Sequence, residues 1–246
     1  MAGRDTGIGG IMIYITGDTH GDFRRIARFC QRVNPCKSDI LIILGDAGIN
    51  YFCDENERLN KAKLANLPIT LFCIHGNHEC RPSAIPSYKE CPWHGGVAYI
   101  EEEFPSLIFA KDGEIYDLDG FDVLAIGGAY SVDKVYRLAR GHKWWPDEQP
   151  SDEIKQYVEQ QLAKHEWMVD TVLSHTIPLR YEPREAFLSG IDQSRVDTST
   201  EEWLERIENK LMYRHWYAGH YHVNKRIDDV TLLFDDIELF MQSDFS

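Results

Sequence analysis

Short runs of consecutive apolar residues, each ended abruptly by glycine and a polar side chain, set the rhythm of this chain. Residues 11–15 run into Thr16-Gly17-Asp18, residues 40–44 into Gly45-Asp46, and residues 69–74 into His75-Gly76-Asn77-His78. Runs of this length, rich in isoleucine and bounded by turn residues, predict strands buried on both faces. Between them, Phe23, Ile26, Ala27, Phe29, Cys30 and Val33 recur near helical period, and residues 54–67 read as an amphipathic helix halted before Pro68. Strand, helix, strand, helix, strand predicts a parallel sheet covered by helices. Each polar motif then sits just past a strand's carboxyl end, the edge where open α/β sheets bind ligands.

The pattern changes in the middle third. Residues 97–126 hold several short strand-like runs, among them 107–110 and 121–126, separated by Asp-Gly turns. A helical stretch over 131–140 follows, then a helix begun at Ser151 with Asp152 and Glu153 in its first turn. Residues 169–173 predict a strand ending at Ser174-His175. Ser199, with Glu202 three residues on, resembles a capping box for a helix running to about Leu211. Residues 216–218 lead into Gly219-His220-Tyr221-His222, and 231–234 form a late strand. No repeat or linker interrupts the chain, which predicts one domain over 11–246. Residues 1–10, with four glycines and no apolar periodicity, read as a flexible leader or an expression scar, with Met12 as an alternative start.

Composition narrows the function. The 246 residues are 43% hydrophobic, enough for a substantial core, and carry a formal net charge of -14. That acidity argues against long nucleic acid and anionic membranes, which reward clustered Lys and Arg, and suits a protein that gathers divalent cations. No apolar stretch is long enough for a signal peptide or a membrane span. The six cysteines (Cys30, Cys36, Cys53, Cys73, Cys80, Cys91) form no C-x-x-C pair, against a zinc knuckle and in keeping with a reducing cytoplasm. Cys73, inside an apolar run, reads as a buried free thiol.

Five segments carry the chemistry: Gly17-Asp18-Thr19-His20-Gly21, Gly45-Asp46-Ala47-Gly48, Gly76-Asn77-His78-Glu79, Ser174-His175, and Gly219-His220-Tyr221-His222. A strand ending in Gly-Asp projects a carboxylate from a turn that glycine makes without strain. In Asp-x-His and His-x-His, alternate residues of an extended segment point the same way, so both can reach one ion. Carboxylate with imidazole suits Mn, Fe, Zn or Ni better than calcium's all-oxygen shell. Singly these are weak signals, since a lone Gly-Asp is usually a turn. Gly-Asn-His-Glu alone is rarer, roughly one unrelated chain in a thousand from average residue usage. Five of the ten histidines fall inside the segments, which a solvated surface does not predict.

In that order the motifs resemble the calcineurin-like metallophosphoesterase superfamily: Asp-x-His, Gly-Asp, Gly-Asn-His-(Asp/Glu), His, then Gly-His-x-His. The resemblance implies an α/β fold, a four-layer α/β/β/α sandwich of mixed sheets with helices outside and a di-metal centre at the sheet edge. It implies that Asp18, His20 and His222 hold one divalent ion, that Asn77, His175 and His220 hold the other, and that Asp46 bridges them. His78 would stay off the metals and face the scissile phosphate as general acid, with Asp46 and His78 as the catalytic pair. Two ions roughly 3.5–4 Å apart can deprotonate a bridging water and neutralise charge in an in-line displacement. Glu79 would either orient a histidine or play a plain surface or capping role. The implied activity is hydrolysis of a phosphomonoester or phosphodiester; the substrate would be a phosphorylated small molecule, a nucleotide or a phosphoprotein. Alternatives are a protein Ser/Thr phosphatase, a nuclease or nucleotide phosphodiesterase, or a non-catalytic metal-binding scaffold.

The resemblance thins where the phosphoprotein phosphatase branch reads Gly-Asp-x-Val-Asp-Arg-Gly, because this chain has Gly45-Asp46-Ala47-Gly48-Ile49-Asn50-Tyr51. It also has His75 where that branch places Arg. Replacement contacts come from His75, Tyr130, Lys134 and Arg137, with Arg140 and Trp144-Trp145 close behind. Lys134, Arg137 and Arg140 read either as a phosphate clamp beside an aromatic platform or as a solvated basic helix face with packing tryptophans. His94, His142, His165 and His215 read as surface or locally hydrogen-bonded.

Overall fold

The structure, a computed structural model, describes residues 10–187 and 189–241, so all but the last residue of the expected leader lies outside it. β1 (Ile13–Thr16), α1 (Arg24–Val33), β2 (Ile40–Ile43), α2 (Glu55–Ala65) and β3 (Thr70–Cys73) alternate as the apolar runs predict. β4 (Tyr88–Trp93), β5 (Gly96–Glu101), β6 (Leu107–Ala110), β7 (Ile115–Leu118) and β8 (Phe121–Ile126) form the strand-rich middle. Then come α3 (Lys134–Ala139), α4 (Asp152–Lys164), β9 (Thr171–Ser174), α5 (Ser199–Glu208), β10 (His215–Ala218), β11 (Lys225–Ile227), β12 (Val230–Leu232) and β13 (Ile237–Leu239).

Among the described residues the strands make two mixed sheets, ordered β13-β1-β2-β3-β6-β5-β4 and β11-β12-β10-β9-β8-β7. Period-two alternation builds the layers. Ile13, Ile15, Ile40 and Ile42 point at Val123, Ala125, Leu173 and Tyr217 of the other sheet. Tyr14, Leu41 and Ile43 point the opposite way, onto Ile26 and Phe29 of α1 and Leu64 of α2. On the far side Val172 and Trp216 meet Val158 and Leu162 of α4 and Leu204 and Ile207 of α5. The result is the helix, sheet, sheet, helix stack. Fully burying each such aliphatic side chain stabilises by about 1.5–3 kcal/mol, so the three clusters hold the two strand edges in fixed relation.

Capping chemistry sets the helix starts. The Asp54 carboxylate accepts from Asn56 N and Glu57 N, and Ser151 Oγ accepts from Ile154 N. The expected capping box is displaced. Ser199 is the first residue of α5, not its cap, because the Asp197 carboxylate takes the Ser199 N–H at 3.0 Å. Thr198 holds the cap position and donates to Glu202 Oε1 at 3.0 Å. The three strands with no counterpart in the sequence reading, β4, β11 and β13, lie at sheet edges. They are less buried, and β4 carries Pro92, so none of the three runs reads as a strand.

Candidate metal centre

Six parallel strands end at one place. β1, β2 and β3 are neighbours in one sheet, and β8, β9 and β10 in the other. The turn after each carries site residues. Asp18 and His20 follow β1, Asp46 follows β2, and Asn77 and His78 follow β3. Tyr130 lies beyond β8, His175 follows β9, and His220 and His222 follow β10. His20, Asp46, His220 and His222 all stand at positive φ, between 46° and 66°. Non-glycine residues hold that conformation at a cost of about 1–3 kcal/mol each, and such positions concentrate at functional sites.

Glycines make the turns tight enough. A Cβ on Gly76 would lie 2.0 Å from Asp46 Oδ1, and one on Gly45, at φ 95°, would lie 2.1 Å from His175 Nδ1. Gly76→Ala is expected to destabilise by roughly 3 kcal/mol through that overlap and to weaken divalent-ion binding, both readable by calorimetry. An unchanged melting temperature with full ion uptake would refute the packing argument.

The donor atoms converge. His20 Nε2 and His222 Nε2 are 2.8 Å apart and lie 3.6 and 3.3 Å from Asp18 Oδ2. Asn77 Oδ1 is 2.7 Å from His175 Nε2 and 3.2 Å from His220 Nδ1. Asp46 stands between the two sets, with Oδ2 3.8 Å from His20 Nδ1 and Oδ1 3.8 Å from His175 Nε2. Among the described residues three overlapping groups could each grip an ion: Asp18-His20-His222, His20-Asp46-His78 and Asp18-Asp46-His175. Asp18 is 1% exposed, yet its Oδ2 has no hydrogen bond of good geometry. A buried carboxylate oxygen left over beside two imidazole nitrogens is what a cation would satisfy.

Electrostatics favour the ligand form at His20, His220 and Asp18, whereas contact with Asp18 raises the His222 imidazole. Burial lowers the imidazoles of His20 and His220, favouring the neutral ring that can coordinate. Burial alone would raise Asp18, but its contact with the His222 ring and the neighbouring His175 and His20 imidazoles outweigh it, so this carboxyl stays below the usual range. Backbone contacts lock the frame: His220 N donates to Asp18 Oδ1 at 2.9 Å and His78 N to Asp46 Oδ1 at 2.7 Å. His175 Nδ1 meets Leu44 O at 2.8 Å, fixing its ring so that Nε2 faces the site. Glu79 differs from both roles the sequence suggests. It is fully buried and accepts from Gly76 N at 3.0 Å and Gly48 N at 3.2 Å, tying two motif loops together. Burial and nearby Asp46 push its carboxyl up to about 8.

The expected substrate residues divide. Arg137 reaches the cluster, its NH1 3.3 Å from His78 Nδ1 and its NH2 donating to Tyr51 Oη at 3.2 Å. Tyr130 lines a cavity with Asn77 and His78. Lys134 instead lies over the Trp144 ring, 3.9 Å from its centroid. His75 is not brought to the cluster; it is buried and lines a separate cavity with Arg81 and Asp112. Sequence reasoning missed Asp133, whose Oδ1 sits 3.3 Å from His78 Nε2, and Ser131, whose Oγ accepts from Asn77 Nδ2 at 2.8 Å. The only local signal for Asp133 is its spacing of four residues before Arg137. Burial would lower His78, but Asp133 and Asp46 outweigh it and raise the imidazole above its ordinary value.

The family model for calcineurin-like phosphoesterases matches residues 11–224. The chain belongs to that family. Family membership supports metal-dependent hydrolysis of phosphoesters, and the clustered Asp and His groups are candidates to hold the ions. No curated protein sequence matches the chain. Among solved structures, the phosphopantetheinyl hydrolase of Mycobacterium tuberculosis is similar at 14% identity and a TM-score of 0.44, over 91% of this chain and 88% of that one. A protein of unknown function from Aquifex aeolicus is similar at 13% identity and a TM-score of 0.34, over 70% and 82%. Among the described residues no helix is long and apolar enough to cross a membrane.

At the rim, Glu201 is 4% exposed and accepts from Thr176 Oγ1 at 2.7 Å. Burial pushes its carboxyl up from the usual 4.5 to about 7, against the lowering effect of Thr176. A group raised in the fold adds stability that is fully present below its unfolded pKa and lost as pH climbs through the folded one. Wild-type stability should therefore fall between about pH 4.5 and 7, by at most roughly 3.5 kcal/mol from this group at ~1.4 kcal/mol per unit. Glu201→Gln should flatten that slope in denaturant titrations; an identical slope would remove Glu201 as its source.

Proposed function

We propose that the chain hydrolyses phosphate esters at two divalent ions, drawn from Mn, Fe, Zn or Ni. The observation that carries this reading is the convergence of donors from β1, β2, β3, β9 and β10 on a shared Asp46. Asp18, His20 and His222 would hold one ion and Asn77, His175 and His220 the other, with Asp46 between them. When bound, such ions supply Lewis acidity toward phosphoryl oxygens and lower the pKa of water toward neutrality. Asp18 and Asp46 are the only carboxylates in the ligand set, so the loaded site keeps positive charge for an anionic ester. Asn77 adds an oxygen without cancelling that charge.

The chain's own residues do the rest. His78 lies between Asp133 and Asp46, which raise its imidazole and favour the protonated ring, and it delivers that proton to the departing ester oxygen. Arg137, pinned by Tyr51 and Asp133, presents its guanidinium beside His78 to grip phosphate oxygens. Protein stripped by a chelator and reloaded with Mn²⁺ should bind about two ions and hydrolyse p-nitrophenyl phosphate or bis-p-nitrophenyl phosphate. Full ion uptake with neither ester cleaved would leave only a metal-binding scaffold.

A further inference from the structure

Two cavities of opposite character meet at the proposed centre, and Asp46 and His78 line both. The larger, of about 730 Å³, is walled by Arg24, Lys63 and Arg137 with the rings of Phe23, Tyr51 and Phe52. Its one carboxylate outside the metal cluster, Asp22, is already paired with Arg24 at 2.5 Å. The smaller, of about 350 Å³, has no Lys or Arg among its described lining residues. It carries Glu182, Asp197 and Glu201 around the aromatic faces of Tyr130, Phe187 and Tyr221. The Phe187 and Tyr221 rings lie nearly parallel, 15° apart.

A phosphate seated at Asp46 and His78 has room on both sides. A monoester, with one organic arm, would leave one cavity to solvent; a diester fills both. The charge contrast says what the arms are. Arg184 approaches one of these carboxylates, its Nε 3.8 Å from Glu182 Oε2, whereas Glu201 has no ion-pair partner among the described residues, and a carboxylate so placed beside aromatic faces recognises an ammonium group. Glu201 adds an independent mark: its Oε2 is buried without a hydrogen-bond partner at the wall of this cavity. Such an oxygen lacks the donor or cation that would offset its desolvation.

Resting on the hydrolase reading, we propose that the substrate is a phosphodiester with an ammonium-bearing alcohol in the acidic cavity and its other alcohol in the cation-lined one. Hydrolysis adds a water oxygen to phosphorus and breaks the ester bond to the alcohol in the cation-lined cavity. That alcohol's oxygen leaves with a proton from His78. The ammonium alcohol keeps its phosphate as a monoester, and the proton released by water passes to solvent or back to His78.

Three chromogenic esters with the same leaving group test this on the metal-loaded chain: p-nitrophenyl phosphorylcholine, thymidine 5′-(p-nitrophenyl phosphate) and p-nitrophenyl phosphate. The choline diester should exceed each of the others in kcat/KM by roughly tenfold or more, the size of a desolvated cation–π contact with charge pairing. A monoester or thymidine diester cleaved as well as the choline diester overturns the proposal. Calorimetry supplies a readout apart from turnover. Phosphocholine should bind roughly tenfold more tightly than its uncharged isostere 3,3-dimethylbutyl phosphate, and Glu201→Gln, checked for an intact fold by circular dichroism, should shrink that ratio. Equal binding of the two overturns the ammonium site even if esters are cleaved. A preserved charge preference with no ester cleaved supports the ammonium site and defeats the hydrolase reading instead.

Discussion

Asp46→Asn is expected to lower kcat/KM by roughly four orders of magnitude, about 5–6 kcal/mol of transition-state stabilisation, and to cut bound metal sharply. Asp46 is 2% exposed and stands between the two donor sets, at 3.8 Å from His20 Nδ1 and 3.8 Å from His175 Nε2. Asparagine keeps the volume and one oxygen, so it can still accept from His78 N, now at 2.7 Å. The other oxygen becomes an NH₂ that aims donors where a cation would sit, and half of the ligand set's negative charge is lost. The fold should survive, since the core clusters are untouched. Elemental analysis, circular dichroism and turnover on the same sample check the three parts. Metal content and turnover within tenfold of wild type would show that Asp46 does not bridge.

His78→Ala should discriminate between leaving groups. An alkoxide needs a proton as it departs, and removing a positioned general acid costs about 10²–10⁴-fold. An activated p-nitrophenolate leaves as the anion and should lose far less, about tenfold or under, from the altered contact with Arg137 and Asp46. Metal content should hold, because every other donor of the Asp18 and Asn77 sets remains. Equal losses on alkyl and aryl phosphates would remove the general-acid role. A matching loss of bound metal would make His78 a ligand, as its place in the His20-Asp46-His78 group allows.

Much of this was legible before any coordinates. The runs that became β1, β2, β6 and β9 are buried at every position, and consecutive apolar residues betray such strands because both faces meet a packed layer. Two-sided burial also placed the motifs, since a chain that leaves an apolar strand at its carboxyl end brings its next polar residue to the sheet edge. Edge strands escaped notice for the converse reason. β11 and β13 are only partly buried or exposed, so their residues carry little apolar pattern, and Pro92 disguises β4.

Chain order and side-chain type therefore determined the fold class, the strand ends and the identity of the clustered donors, because those follow from local periodicity and from which atoms can coordinate a cation. Tertiary approach alone decided who stands beside whom. Asn77 meets His175 across 98 positions and Tyr51 meets Arg137 across 86, and Glu79 is buried between two motif loops rather than aimed at a histidine. Asp133 beside His78 and the two unlike cavities arise the same way. Electrostatic environment depends on distances between segments, and no local pattern encodes a distance that two packed sheets set only once they meet.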